Sequence, residues 1–351
     1  MKRILITGGA GFVGSSIALS LLRNYPDAEV IALDNLYRKG SELNRKRIEA
    51  AGITFLQGDV RNRAAFEMAP CDLILDAAAE PSVLAGQGGD AAYVVDTNLV
   101  GTLHALEAAR RWGAAFLFLS TSRVYPVARL CEIRFSETAM RFELEQVQSC
   151  PGCTLHGVGE SFPLDGARTL YGATKYAAET MVAEYASQFG LRALINRCGV
   201  LAGPWQMGRV DQGVIALWVA AHHYGRPLKY IGFEGKQVRD CLHIDDLSDL
   251  IGCQLTRFDL WDGTAYNIGG GRAVSTSLLE LTRACVEATG KAIQITQNPC
   301  QRTGDVPIYI TDARRATDAF GWRPCRDMET IVRDAARWIK DNAVELCDVF
   351  A

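Results

Sequence analysis

Seven residues near the amino terminus, Gly8-Gly9-Ala10-Gly11-Phe12-Val13-Gly14, constrain the fold of this chain more than any other stretch. The apolar run Arg3-Ile4-Leu5-Ile6-Thr7 leads into them and reads as a buried strand; Ser15 to Leu22, after them, carries apolar residues at helical spacing. Strand, glycine turn and helix in that order are what a dinucleotide-binding fold requires. Gly8 then makes the tight turn, Gly11 lets the backbone approach a pyrophosphate, and Gly14 lets the helix pack on the strand. A glycine triplet alone is a weak signal. The second apolar strand, Glu29-Val30-Ile31-Ala32-Leu33, strengthens it by ending at Asp34, about twenty residues beyond Gly14, where a carboxylate takes the adenosine ribose hydroxyls. That carboxylate would repel the 2'-phosphate of NADP, so NAD is the expected cofactor, although Arg38 and Lys39 leave some room for the phosphate.

Strand signals recur at about residues 55, 74, 117 and 194 with helical stretches between them, which predicts an α/β fold with a doubly wound parallel sheet. With 351 residues, 48% of them hydrophobic, the chain can bury a large core, most simply as one nucleotide-binding domain and a smaller carboxy-terminal one.

Tyr171-Gly-Ala-Thr-Lys175 places a phenol and an ammonium four residues apart, on one helix face. A free phenol titrates at about 10, so service as a base near pH 7 needs a shift of roughly 3 units, about 4 kcal/mol. A nearby ammonium and the positive ring of an oxidised nicotinamide both push that way. Alone, the pentapeptide would pass for an ordinary surface helix. Behind a dinucleotide loop it reads as a catalytic pair.

With these residues in view the chain resembles the extended short-chain dehydrogenase/reductase superfamily of nucleotide-sugar epimerases and dehydratases. The matches run in order along most of its length: Thr7 to Gly14, Gly58-Asp59-Val60-Arg61, Asn98-Leu99-Val100-Gly101-Thr102, Ser120-Thr121-Ser122-Arg123-Val124-Tyr125, Tyr171 to Lys175, Arg239-Asp240 and Arg302-Thr303-Gly304-Asp305. The resemblance implies a Rossmann-type domain over residues 1–200, with 241–265 returning to it, and a substrate-binding domain from 201–240 and 266–351. It implies that Phe12, Val13, Asn35 and Ser120 join the glycines and Asp34 around NAD. Asp59 and Val60 would meet the adenine, and Ala77, Ala78 and Ala79 would line the cofactor trough. Asn98 is grouped with the cofactor site as a support for the strand and helix around it, and Tyr171 and Lys175 also reach the cofactor. Thr121, aligned on Val124-Tyr125, would hold the substrate oxygen by a hydrogen bond while Tyr171 moves the proton.

The two residues after Thr121 narrow the chemistry. Sugar 4,6-dehydratases of the superfamily carry an Asp-Glu pair there as acid and base for losing water, whereas this chain has Ser122-Arg123. The expectation therefore moves to epimerisation or simple redox chemistry. Asp34 to Gly40, Val210-Asp211-Gln212-Gly213 and Gly235 to His243 resemble the CDP-tyvelose (CDP-paratose) 2-epimerases, which implies transient oxidation of a sugar carbon and hydride return to its other face. Those enzymes tend to have Asn-Lys where Ser122-Arg123 stands and glycine where Pro126 stands, so the sugar stays open. By resemblance Arg239 and Arg302 would grip the diphosphate of a nucleotide sugar, a CDP-sugar being favoured. Asp305 would take ribose hydroxyls or hold Arg302, and Gln206, Gln212 and Lys236 would stand near the substrate. Arginine suits a diphosphate because its planar fork presents paired donors. Local ion pairing of Arg239 with Asp240, and of Arg302 with Asp305, is the alternative.

The stretch from Tyr125 to Tyr171 is longer than passage from strand to helix needs. Its Cys150-Pro151-Gly152-Cys153 and His156 do not complete a tetrahedral ligand set, so a substrate-covering loop is expected rather than a metal site. A net charge of -3 gives no general attraction to nucleic acid or acidic membranes. Eleven cysteines without a small-domain framework fit reduced thiols. No signal peptide or membrane-length apolar run is evident, and a cytoplasmic enzyme is expected. Helices around 98–110 and 171–188 are those that relatives use to form homodimers. Two other functions stay open: an epimerase or oxidoreductase acting at another carbon, such as a UDP-sugar 4-epimerase, and a dinucleotide-sensing protein without catalysis. The Tyr171–Lys175 pair argues against the last.

Overall fold

In a computed structural model that describes residues 1–87 and 89–350, seven strands form one parallel sheet: β1 (Arg3–Thr7), β2 (Glu29–Asp34), β3 (Thr54–Gln57), β4 (Leu73–Asp76), β5 (Ala115–Thr121), β6 (Ala193–Cys198) and β7 (Asp262–Ile268). Their order is 3-2-1-4-5-6-7, and every neighbouring pair is parallel. The order reverses between β1 and β4, which opens a crevice at the carboxyl ends of the strands.

Alternation along the strands explains why helices cover both faces. Ile4, Ile6, Ala32, Leu75, Leu117 and Leu194 pack on α1 (Phe12–Asn24) and α6 (Ile244–Leu255). Leu5, Ile31, Ile74, Phe116, Phe118 and Ile195 pack on α3 (Gly101–Trp112) and α4 (Leu170–Phe189). Between α1 and α3, α2 (Ser41–Ala50) lies against α1. Residues 244–268 thus supply a covering helix and the last strand of the main sheet.

A second core lies above the strand ends. There α5 (Val214–Tyr224), α7 (Leu278–Thr289) and α8 (Met328–Asp341) pack together through Val219, Leu281, Cys285, Ile331 and Ala335. A smaller sheet is centred on Val238–His243, which pairs with Val200–Ala202, Ser275–Ser277 and Ile308–Tyr309. The long segment before α4 departs from its expected role. It folds into two short hairpins and a core of its own with Cys150, Cys153, Phe162, Ile308 and Tyr309, and it contributes nothing to the cavity wall between Arg123 and Tyr171. Buried apolar residues hold it to the flank of the molecule. Among the described residues no cluster of side chains has metal-ligating geometry, and no helix is long and apolar enough to cross a membrane.

Candidate active site

Two adjoining cavities open at the strand ends, of about 370 Å³ and 150 Å³, and Ala77, Ala79, Pro81 and Asp211 line both. The smaller one is walled by Gly8, Gly11, Asp34, Asn35, Val60 and Ala78. Gly8 has φ of 63°, the left-handed turn its position needs. A Cβ on Gly14 would stand 2.2 Å from the Gly8 carbonyl oxygen, so only glycine lets α1 start this close to β1. At Gly11 the corresponding space holds nothing within 4 Å except the Gly8 carbonyl, and no side chain caps the helix. The first amides of α1 therefore face open space, the arrangement that receives a pyrophosphate. Asp34 braces the same loop, accepting from the Ala10 amide at 3.0 Å and the Leu36 amide at 2.8 Å. Burial raises its pKa, and these amides pull it back down.

Three residues grouped with the cofactor lie behind the wall rather than on it. Asp59 is held by Arg61 at 2.7 Å and by the Asn35 amide at 3.0 Å, and those bonds keep its carboxyl well below the usual range. Gly14 is the packing contact just described. Asn98 is fully buried and clamps the loop after β4: its Oδ1 accepts from the Glu80 amide at 2.7 Å, and its Nδ2 donates to the Glu80 carbonyl and to Thr174 of α4. It sits in a π-helical turn, Asp96–Val100, that feeds into α3.

The larger cavity brings together Phe12, Val13, Ser120, Thr121, Tyr171 and Lys175 from β5 and the ends of α1 and α4. Thr169 caps α4 by accepting from the Gly172 amide at 3.2 Å, which puts Tyr171 in the first helical turn. Burial pushes the phenol up to about 12, while a hydrogen bond with Thr121 and the charge of Arg123 act the other way. Lys175, one helical turn on, lines the same cavity. Its Nζ lies 3.9 Å from the centre of the Phe118 ring; burial lowers it to about 8 against the pull of Asp76 and Glu179. Beneath it Ser120 donates to Glu179 at 2.5 Å, and Glu179 pairs with Arg197 at 2.8 Å.

On the opposite wall stand Gln206, Gln212, Arg239, Arg302 and Asp305. Asp305 accepts from Arg239 at 2.6 Å, not from Arg302, whose guanidinium donates to the Val210 carbonyl at 2.8 Å. Lys236 is a correction: it pairs with Glu137 at 2.5 Å and does not line the cavity. Gln237 lines it instead, because side chains alternate along a strand and position 237, not 236, shares the face of Arg239. That parity was the available signal for Gln237. Arg123 was read only as a missing acid, yet it forms part of the wall. Gln206 and Gln237 each donate through Nε2 to a backbone carbonyl, of Leu201 and Ile231, while each Oε1 is buried without a partner. Buried acceptors left in this way are available to a ligand donor.

Fold, glycine cradle and tyrosine site define a class. Residues 4–269 match the model of the NAD dependent epimerase/dehydratase family, and the chain belongs to that family. It is an NAD-dependent enzyme whose relatives act on nucleotide sugars. The CDP-paratose 2-epimerase of Salmonella typhi is 30% identical over 92% of this chain and 94% of its own. The dTDP-glucose 4,6-dehydratase of Salmonella typhimurium is 29% identical over 97% of this chain and 93% of its own. Among solved structures, UDP-glucose 4-epimerase of Thermus thermophilus, in complex with NAD, superposes with a TM-score of 0.77 at 26% identity, covering 96% of this chain and 99% of that one.

Proposed function

We propose that this enzyme is a nucleotide-sugar epimerase that inverts C2 of a CDP-deoxyhexose, interconverting CDP-paratose and CDP-tyvelose. The observation that carries the reading is the wall after Thr121: a proton-moving tyrosine without the acid pair that loss of water needs, and with the Arg123 cation in its place. Similarity to the CDP-paratose 2-epimerase supports the choice of sugar.

NAD, when bound, supplies reversible hydride transfer. The residues that would hold it are Gly8, Gly11, Asp34, Asn35, Val60 and the Ala77–Ala79 trough, with Phe12, Val13, Ser120 and Lys175 at its inner end. Tyr171 takes the proton from the sugar hydroxyl at the carbon being oxidised and returns it when the alcohol is reformed. Thr121 hydrogen-bonds the same oxygen in both its hydroxyl and its ketone form. Arg302 and Arg239, the latter steadied by Asp305, hold the diphosphate while the flattened sugar turns to present its other face. Gln206 and Gln237 offer acceptors to hydroxyl or amino groups of the substrate.

Proton NMR of CDP-paratose, UDP-glucose and UDP-N-acetylglucosamine with the purified protein and no added NAD tests this. Appearance of CDP-tyvelose is the expected result. Conversion of a UDP-sugar alone would move the reaction to another carbon and base, and a dehydrated 4-keto-6-deoxy product would overturn the epimerase reading.

A further inference from the structure

Gln237 lines the substrate cavity, and a run of contacts along that wall fixes which part of a substrate meets it. Two residues after Thr121, Arg123 donates through Nη1 to the Gly304 carbonyl at 3.3 Å. Asp305, the next residue, accepts from Arg239 at 2.6 Å. Two residues before Arg239, on the same face of the chain, comes Gln237, whose Nε2 donates to the Ile231 carbonyl at 3.2 Å. Ile231 ends the strand Leu228–Ile231, which pairs with Ile295–Asn298 in a two-stranded sheet apart from the others. The order outward from the reacting groups is therefore Thr121, Arg239, Gln237, Ile231. With Arg239 on the diphosphate, Gln237 stands about 7 Å further along the strand, on the side away from the reacting sugar, where the nucleoside of a nucleotide sugar must lie.

The walls at that end suit a flat ring. Leu278 follows Ser277, which pairs with Val238, and it lines the cavity with Ile231, Leu281 and Trp218, whose ring stacks on Tyr230 at 6.4 Å between centroids. Among these apolar groups Gln237 is 8% exposed, and its amide has one orientation. A carbonyl only accepts, so the group facing Ile231 is the NH2, and the buried atom with no partner among the described residues is Oε1. Such an acceptor costs stability until a donor reaches it. In a pyrimidine nucleotide the 4-position lies across the ring from the bond to ribose, so it is the part of the base farthest from the diphosphate. Cytosine carries an amino donor there, whereas uracil and thymine carry a carbonyl, a second acceptor. We propose that Gln237 selects the base, its Oε1 accepting from the 4-amino group of cytosine and disfavouring the 4-carbonyl of uracil or thymine. The inference rests on the CDP-sugar reading and on Arg239 as part of the diphosphate grip. It assigns the choice of nucleotide to a residue remote from Thr121 and Tyr171, which perform the chemistry.

The test is calorimetric titration of the NAD-containing enzyme, wild type and Gln237→Met, with three nucleotides: CDP, UDP and the diphosphate of pyrimidin-2-one riboside, which carries neither amino nor carbonyl group at the 4-position. Wild type should bind CDP about tenfold more tightly than the pyrimidinone nucleotide, which lacks the donor, and UDP more weakly still, because its 4-carbonyl faces the glutamine oxygen. Gln237→Met should weaken CDP about tenfold and leave the pyrimidinone nucleotide within about twofold of wild type, so that the contribution of the amino group vanishes with the acceptor. A CDP preference kept intact by Gln237→Met would overturn the assignment to Gln237 and leave the CDP-sugar reading standing. UDP bound as tightly as CDP by wild type would overturn both. Circular dichroism and retained NAD identify a folded variant; where Gln237→Met does not fold, the wild-type comparison decides, and equal affinity for CDP and the pyrimidinone nucleotide overturns the proposal.

Discussion

Tyr171 and Lys175 share a helix face as their spacing requires, yet their environments differ sharply. Both line the cavity, but Tyr171 is half-buried, whereas Lys175 is 1% exposed with its ammonium against Phe118. Helical spacing reports which side of a helix two residues share, not where a four-carbon side chain ends, so the residues of the pair were legible in the sequence and the contact of the ammonium with Phe118 was not. The same limit explains Lys236 and Gln237, where composition favoured the cation and strand parity decided for the amide. At this scale the account predicts that Tyr171→Phe lowers kcat by about 10²- to 10⁴-fold, the usual contribution of a positioned proton-transfer group. Bound NAD, measured by absorbance after extraction, should stay at the wild-type level, because the glycine cradle and Asp34 lie elsewhere. Loss of NAD together with activity would make Tyr171 a cofactor anchor.

α4 carries both of these residues, and a buried chain of polar contacts fixes its position. Ser120 of β5 donates to Glu179, one turn beyond Lys175; Glu179 pairs with Arg197 of β6; Arg197 reaches the Tyr125 hydroxyl at 3.2 Å, and Tyr125 donates to Asn267 of β7 at 2.8 Å. Three strands are thereby tied to the helix that holds the candidate base. Removing one partner leaves the other charge buried and uncompensated, so Glu179→Ala should cost about 3–5 kcal/mol in urea unfolding, and the double replacement Glu179→Met with Arg197→Met should recover much of it. A double variant no more stable than the single one would mean that the pair does more than satisfy itself. Little of this element-scale organisation could be read from sequence. Six of the seven main strands, with α1, α3 and α4, followed from apolar patterning and the glycine turn, while the return of β7 to the sheet followed only from family resemblance. The network, the π-helical turn at Asp96–Val100 and the separate core around Cys150 and Cys153 depend on contacts between residues far apart in the chain. A loop predicted to cover substrate packs on the flank because its apolar residues find Ile308 and Tyr309 there.

Across the whole molecule, the two cavities meet where the reversal of strand order opens the sheet, and Asp211, from the segment after β6, borders both. The glycine loop and the tyrosine pair marked the floor of this space in advance. Its roof was legible only through family resemblance, since Gln206, Arg239 and Arg302 come from segments widely separated in the chain. A cofactor cavity that adjoins the substrate cavity suits chemistry in which hydride leaves one face of a sugar carbon and returns to the other without exchange with solvent. The most direct measurement follows CDP-paratose deuterated at C2 through the NAD-containing enzyme in ordinary water, with mass and NMR analysis of the product. The account predicts CDP-tyvelose that keeps its deuterium at C2, because the same hydride is returned. Loss of the label to water, giving protium at C2 in the inverted product, would show epimerisation by proton abstraction from carbon and would contradict it.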